Sequence, residues 1–464
     1  MDGNKPLATF TSAFTARIAA HPRVAYWPHP KCGALVMMVI DQILVGRREL
    51  GERFLKGVAE PTGGVVFPGK DESEGNVEIW RLLETPGDKG VPDVAHAVWQ
   101  ARGHMGEEDA SLIAPNHVLL PAPNFHSCPW GPPEETGYTG ADLGAPTDAV
   151  RVTVIDSGYV PNETITDRLE DATYGWWFGL DPSGAYTWVQ ENPATLGVDP
   201  LDQDGDYFLD ALAGHANFVA GVVAQACPGA AIRVVSHNGA FVNHDDNDPV
   251  NTPLPTEASV ARSLWETLTN DPWSDVINVG FAFPTLPPAP PVGAPLAGPP
   301  SWAFTAVLDE FKKRSKDFFV VAPAGNQHCF VPQYPAAFFH THPNVIGVAS
   351  IDATGDLSQF SNYGRWVACS AEGEDVFSAF VDWSGLTEEF EVSGPYAGWW
   401  FPKDFSGWGT WSGTSFAAPK VAGALADAVL KGSTLQQGWN NLVNSPTTVA
   451  SASCGYKLPN LPPD

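Results

Sequence analysis

Basic residues are scarce in this chain: 25 Lys and Arg stand against 53 Asp and Glu, a formal net charge of −28. Nucleic-acid phosphates would repel such a surface, which argues against nucleic acid as a partner. The same repulsion argues against docking on anionic membranes. The charge suits solubility, cation binding or basic substrates without choosing among them. Long apolar runs are also missing. The best, Ala34 to Ile40, stops at Asp41, far short of the roughly 20 residues that span a bilayer. The first 25 residues show no compact apolar stretch of a signal peptide, so the expectation is a cytoplasmic protein. Cysteine is sparse: six, at 32, 128, 227, 329, 369 and 454, with no C-x-x-C pair. Reduced, partly buried thiols are expected, with a disulfide at Cys329 only if the protein leaves the cell. Nothing suggests disorder. A hydrophobic content of 44% and 17 Trp in 464 residues allow two or more domains with real cores.

The chain divides near residue 125. Residues 33–46 read as two short strands around Asp41-Gln42, and Arg47 to Leu55 has helical spacing. Val77 to Leu83 alternates like a strand. Asp93 to Arg102 reads as a helix with Asp93 as N-cap. Leu112 to Leu120 reads as extended, broken at Pro115-Asn116-His117. These elements make residues 1–125 a small α+β module. Residues 126–148 are rich in Pro, Gly and acidic residues and read as a linker. Residues 149–464 alternate strands and helices. The expected strands are Val150–Ile155, Ala231–Val235, Val276–Val279, Phe318–Ala322 and Asn344–Ala349. The expected helices run from His215 to about Gln225, Thr256 to Leu268 and Trp302 to Ser315. Near-continuously apolar strands between helices predict a buried parallel sheet, hence an α/β fold.

Chemistry-bearing residues recur at the ends of these elements. Ser415 lies in Ser412-Gly-Thr-Ser-Phe-Ala-Ala-Pro-Lys-Val-Ala-Gly423, a sharp turn feeding a helix of small residues. Amides at a helix N-terminus favour developing negative charge, and a serine there is a nucleophile if a base reaches it. Pro419 is expected in the first turn of that helix. Asp156 ends the strand Arg151-Val-Thr-Val-Ile-Asp156-Ser-Gly. His215 opens Gly214-His-Ala-Asn-Phe-Val-Ala-Gly221. Asn326 closes Phe318-Phe-Val-Val-Ala-Pro-Ala-Gly-Asn326. Singly, each reads as a turn former, cap or core residue. Together and in this order they do not. Asp156 and His215 are 59 residues apart, and His215 and Ser415 are 200 apart, which leaves room for the intervening strands and helices.

The four motifs resemble those of subtilisin-like serine peptidases, the subtilase family. The resemblance runs over roughly residues 149–450. It implies a subtilisin-like parallel sheet flanked by helices. It implies that Ser415 attacks a peptide carbonyl, that His215 serves as base and then acid, and that Asp156 orients the imidazole. It implies that Asn326 stabilises the oxyanion together with the Ser415 N–H. It implies that the strand at Gly280 and Phe281, with Gly325, binds an extended peptide by strand addition. No cofactor is required for that reaction, and the partner is a peptide or protein substrate. The family pattern has Gly and Thr where this chain has Ala216 and Asn217, and Ser where it has Gly280. A catalytically silent peptide-binding subtilase and a triad acting on esters stay open as alternatives. The position of residues 1–125 resembles that of a subtilase prodomain, a folding chaperone and inhibitor in cis. Asp202, Asp204 and Asp206 resemble the first half of a calcium loop, a structural Ca²⁺ site or a solvated acidic turn. His340 and His342 lack further ligands in a zinc pattern. The aromatic stretch Phe377 to Trp411, with Trp399, Trp400, Phe401, Trp408 and Trp411, rims the site or covers ordinary core.

Overall fold

The computed structural model describes residues 23–29, 35–70, 76–83, 93–121, 130–136, 143–147, 149–180, 186–190, 201, 208–209, 212–237, 254–269, 274–288, 298–313, 317–387, 402–458 and 461. The N-terminal part holds β1 (Val24–Pro28), β2 (Leu35–Val45), α1 (Arg48–Phe54), β3 (Ala59–Val65), β4 (Glu78–Leu82), α2 (Asp93–Arg102) and β5 (Ile113–His117). The five strands pair antiparallel in the order β1-β2-β4-β3, with β5 on β2. Helix α2 buries Val94, Ala95 and Val98 against this sheet. Asp93 lies in the first turn of α2 instead of capping it.

One expectation fails here. Residues 33–46 do not form two strands, because β2 runs unbroken through Asp41 and Gln42. Their polar groups are paired across the fold. The Tyr186 hydroxyl donates to Asp41 Oδ2 at 2.8 Å, and Asn116 Nδ2 donates to Gln42 Oε1 at 2.7 Å. Such partners let polar side chains sit in a strand, with Asp41 Oδ1 left buried and without a hydrogen bond.

Two short strands follow. β6 (Leu120–Pro121) leaves the module, and β7 (Trp130–Glu134) falls within the expected linker. The main body then contributes β8 (Arg151–Asp156), β9 (Leu169–Tyr174), the hairpin β10 (Trp176–Leu180) and β11 (Tyr186–Gln190), and β12 (Phe208–Leu209). Next come α3 (His215–Ala226), β13 (Ala231–Ser236), α4 (Glu257–Thr269), β14 (Val276–Val279), β15 (Phe281–Ala282) and α5 (Trp302–Lys313). After these follow β16 (Phe319–Pro323), β17 (Val345–Ile351), β18 (Cys369–Glu372), β19 (Val376–Thr387), β20 (Pro402–Ser412), α6 (Thr414–Leu430), α7 (Leu435–Val443), β21 (Val449–Ser451) and β22 (Gly455–Lys457).

The central sheet runs β21-β22-β18-β17-β16-β14-β8-β13-β9 and is parallel throughout except at β21. Successive side chains go to opposite faces. Val152, Val154 and Val321 meet α3 and α6 in one core, whereas Ile155, Ile277 and Val320 meet α4 and α5 in another. Both faces are therefore covered, which is why these strands read as unbroken apolar runs. The second core also takes in Leu44, Phe67, Ile79 and Leu119 from the N-terminal part.

Ahead of the last long helix, β19 and β20 pair antiparallel in a sheet of order β12-β19-β20-β7. Cys369 and Cys454 are free, and they are buried, as is Cys227. Cys329 departs from the default of reduced thiols and takes the alternative kept open for it: it is disulfide-bonded. Among the described residues, no helix is long and apolar enough to cross a membrane.

Candidate active site

Asp156 is the last residue of β8, and His215 is the first of α3. Gly214 sets the approach to that helix in the left-handed region, at φ 72°. A Cβ there would meet Val381 and Phe380, so glycine suits both the turn and the space. The His215 ring donates from Nδ1 to Asp156 Oδ1 at 2.6 Å, and both side chains are fully buried. Ser157 adds its backbone N–H at 2.7 Å and its hydroxyl at 3.1 Å to the same oxygen. Three donors on Oδ1 fix the carboxylate and put the ring proton on Nδ1. His215 Nε2 is left with its lone pair and no hydrogen-bond partner.

Ser415 is the second residue of α6 and 1% exposed. Its Oγ has no hydrogen-bond partner either, so no Ser415–His215 hydrogen bond is made in this state. Such bonds are often long before substrate arrives. Being in the first turn, the Ser415 N–H has no carbonyl one turn back within the helix. Pro419 lies deeper than expected, inside the helix that begins at Thr414. Its missing N–H removes the bond that the Ser415 carbonyl would otherwise accept.

Asn326 follows β16 and is 2% exposed. Its Oδ1 accepts from the Thr414 N–H at 2.9 Å and the Thr414 hydroxyl at 2.8 Å. The amide nitrogen therefore points away from Thr414. Gly325 sits at φ +95°, and its N–H donates to Thr414 Oγ1 at 3.0 Å. Its carbonyl accepts from Asn362 N at 2.8 Å. Both backbone groups of Gly325 are thus engaged within the protein. Asn362 pins the same loop, accepting from Gln327 N at 3.0 Å and Cys329 N at 2.8 Å. Thr414 and Asn362 are positioning residues that motif reading passes over. Their only signal is adjacency to Ser415 and a lone Ser-Asn step.

The replacements beside His215 have local reasons. Asn217 is fully buried and clamps the Val160 backbone, accepting from its N–H at 2.9 Å and donating to its carbonyl at 2.7 Å. This ties the start of α3 to the loop after Asp156. At Gly280, an added Cβ would overlap Asp156 Oδ2, an oxygen that is buried with no hydrogen-bond partner. Trp411 and Phe416 flank the imidazole, Trp411 edge-on at 5.8 Å between ring centroids and Phe416 at 5.4 Å, and Phe218 packs on Phe416 at 4.5 Å. Trp411 and Trp408 are buried, as the core reading of that stretch expects. Trp399, Trp400 and Phe401 lie outside the described residues, as do Asp202, Asp204 and Asp206. His340 and His342 have separate partners, the Arg365 carbonyl and Asp309, and the described residues include no metal-binding cluster.

The edge strand expected to take a peptide is already paired. Phe281 and Ala282 of β15 face Pro121 and Leu120 of β6 in antiparallel register. On the other side, Val118 bridges Thr256, and Leu119 N–H donates to the Pro255 carbonyl at 2.8 Å. Residues 118–121 therefore lie as the middle strand between 254–256 and 281–282.

A family model described as the subtilase family matches residues 147–441. The chain belongs to the subtilase family. Over 291 residues it is 28% identical to a probable subtilase-type serine protease of Deinococcus radiodurans, covering 61% of this chain and 34% of that protein. Over 109 residues it is 33% identical to thermitase of Thermoactinomyces vulgaris, covering 24% of this chain and 29% of that protein. The chain thus matches about a third or less of these relatives' length. Fervidolysin from Fervidobacterium pennivorans, a keratinolytic enzyme related to subtilisin, has the same fold, with a TM-score of 0.50 at 17% identity. The likeness covers 90% of this chain and 60% of that one. In this subtilase, the expected α/β class and parallel sheet hold.

Proposed function

We propose that this subtilase is a serine endopeptidase acting through Asp156, His215 and Ser415. The observation that carries the reading is the buried 2.6 Å His215–Asp156 hydrogen bond, which leaves a lone pair on Nε2 of a ring that packs 5.4 Å from Phe416, the residue after Ser415. Ser415 Oγ bonds to the substrate carbonyl carbon while Nε2 takes its proton. The oxyanion is met by the Asn326 amide and the Ser415 N–H. Asp156 stabilises the imidazolium. The C–N bond then breaks, with the Nε2 proton passing to the leaving amine, and water delivered by the same base hydrolyses the acyl ester.

We further infer that residues 23–121 form a prodomain-like module acting in cis, because residues 118–121 fill the strand position a peptide would take. The Cys329 disulfide supports an oxidising compartment over a reducing cytosol. Hydrolysis of a quenched fluorescent peptide library tests the main reading. Wild type cleaves and Ser415→Ala does not; equal turnover by the two would refute it.

A further inference from the structure

The hairpin β10–β11 is inserted between Asp156 and His215, and it touches both halves of the molecule. On the main body it holds α4. The Arg262 guanidinium stands 4.5 Å from the ring centres of both Trp176 and Trp188. Trp176 Nε1 donates to Glu266 Oε2 at 2.6 Å. The base of the hairpin is fixed as well. Gly175 N–H donates to the Ser236 carbonyl at 2.7 Å, and a Cβ on Gly175 would overlap the His237 ring.

The opposite contacts reach the N-terminal module. Tyr186 donates to Asp41 Oδ2 at 2.8 Å, and Trp188 Nε1 donates to the Val65 carbonyl at 2.8 Å. Phe178 stacks on Tyr186 at 5.6 Å between centroids. It also fills the space beside Gly64, where any Cβ would overlap its ring. Burial and the Asp41 charge push the Tyr186 hydroxyl up, so it stays a donor. The aromatic rings span the gap, and polar tips finish the contacts at each end, as suits amphipathic aromatics at an interface.

We propose that β10–β11 is a clasp whose ligand is the chain's own module, at Asp41 and Gly64–Val65, and that its grip sets how long residues 118–121 stay in the cleft. This rests on the reading of that strand as occupying the substrate position. The clasp adds contacts that exist only in the closed state, so weakening it favours release.

The test uses the full chain. Tyr186→Phe removes one oxygen, and with Trp188→Phe it removes both side-chain polar contacts of the hairpin, leaving the longer bond from Gln42 Nε2 to the Phe178 carbonyl at 3.5 Å and a ring on Arg262. Gly64→Val wedges the interface from the module side. Hydrogen exchange of residues 118–121 is reported by the Leu119 and Leu120 amides, because Pro121 has no N–H and Val118 donates to Met37 within the module. It is read in a Ser415→Ala background, where self-cleavage does not intervene. The lag before peptide hydrolysis is read with Ser415 intact. The double variant and Gly64→Val are each expected to raise exchange at 118–121 about tenfold and to shorten the lag. Tyr186→Phe alone shifts both in the same direction. Unchanged exchange at 118–121 in both Tyr186→Phe with Trp188→Phe and Gly64→Val overturns the clasp. Faster exchange with no hydrolysis by any Ser415 chain upholds the clasp and refutes the peptidase reading.

Discussion

Gly280 shows how closely individual residues around this base are fitted. The family pattern has a serine there, but in this chain Asp156 Oδ2 takes up the room of a side chain. Gly280→Ala should therefore turn the carboxylate and, with it, His215. Because small misplacements of a catalytic group cost up to about a hundredfold in rate, kcat should fall at least about tenfold, with KM changed much less. Steady-state kinetics of the processed enzyme check this, and an unchanged kcat would show that Asp156 has other room. Asn217 makes the complementary point. Its difference from threonine looks like damage in the sequence, yet its amide fits the Val160 backbone on both sides. The positions of Asp156, His215 and Ser415 are legible because each stands at or next to the end of a regular element within a characteristic string, and Asn326 because its string closes three residues past β16. Thr414 and Asn362 are not, because hydrogen bonds to residues 88 and 35 positions away in sequence define their roles.

Elements divide along the same line. The strands β8, β13, β14, β16 and β17 and the helices α3, α4, α5 and α6 are readable because burial on both faces, or along one stripe, writes itself into the sequence. The hairpins β10–β11 and β19–β20 are not, since their aromatics are explained by partners far along the chain. Strand β2 is misread for this reason, as Asp41 and Gln42 find their polar partners in Tyr186 and Asn116. At the end of β13, His237 is fully buried beside Asp156, with Nε2 3.0 Å from Ser263 Oγ. Burial lowers its pKa to about 3. The folded protein therefore keeps this ring neutral, while the unfolded chain protonates it below about 6.5. The neutral ring's contribution is full above that pH and is lost progressively as pH falls toward 3. The slope is on the order of 1 kcal/mol per pH unit. Thermal unfolding of the Ser415→Ala chain between pH 6.5 and 4 should show it, and His237→Gln should flatten the decline. An unaltered decline in that variant would assign the acid sensitivity elsewhere.

At the scale of the molecule, the module and the main body share a core. The side chains of Leu44, Phe67, Ile79 and Leu119 pack in one cluster with Trp265, Phe283 and Phe304. Their junction also holds the fully buried pair His117 and Glu257, joined at 2.6 Å. Ser301 Oγ completes the carboxylate at 2.6 Å, and the Leu286 N–H donates to His117 Nε2 at 3.0 Å. On the proposed prodomain-like reading, a closed state of this kind would delay activity until residues 118–121 leave the cleft. Mass spectrometry of the purified protein should then find a cut between about residues 110 and 147 that is absent from Ser415→Ala. Full-length chain that is fully active would contradict the prodomain-like role. The central claim concerns Ser415 itself. Wild-type protein treated with a fluorophosphonate and digested should carry the adduct on the peptide containing Ser415, and His215→Ala should carry little or none. An adduct-free Ser415 in hydrolytically active protein, or equal labelling of the His215→Ala chain, would contradict the account.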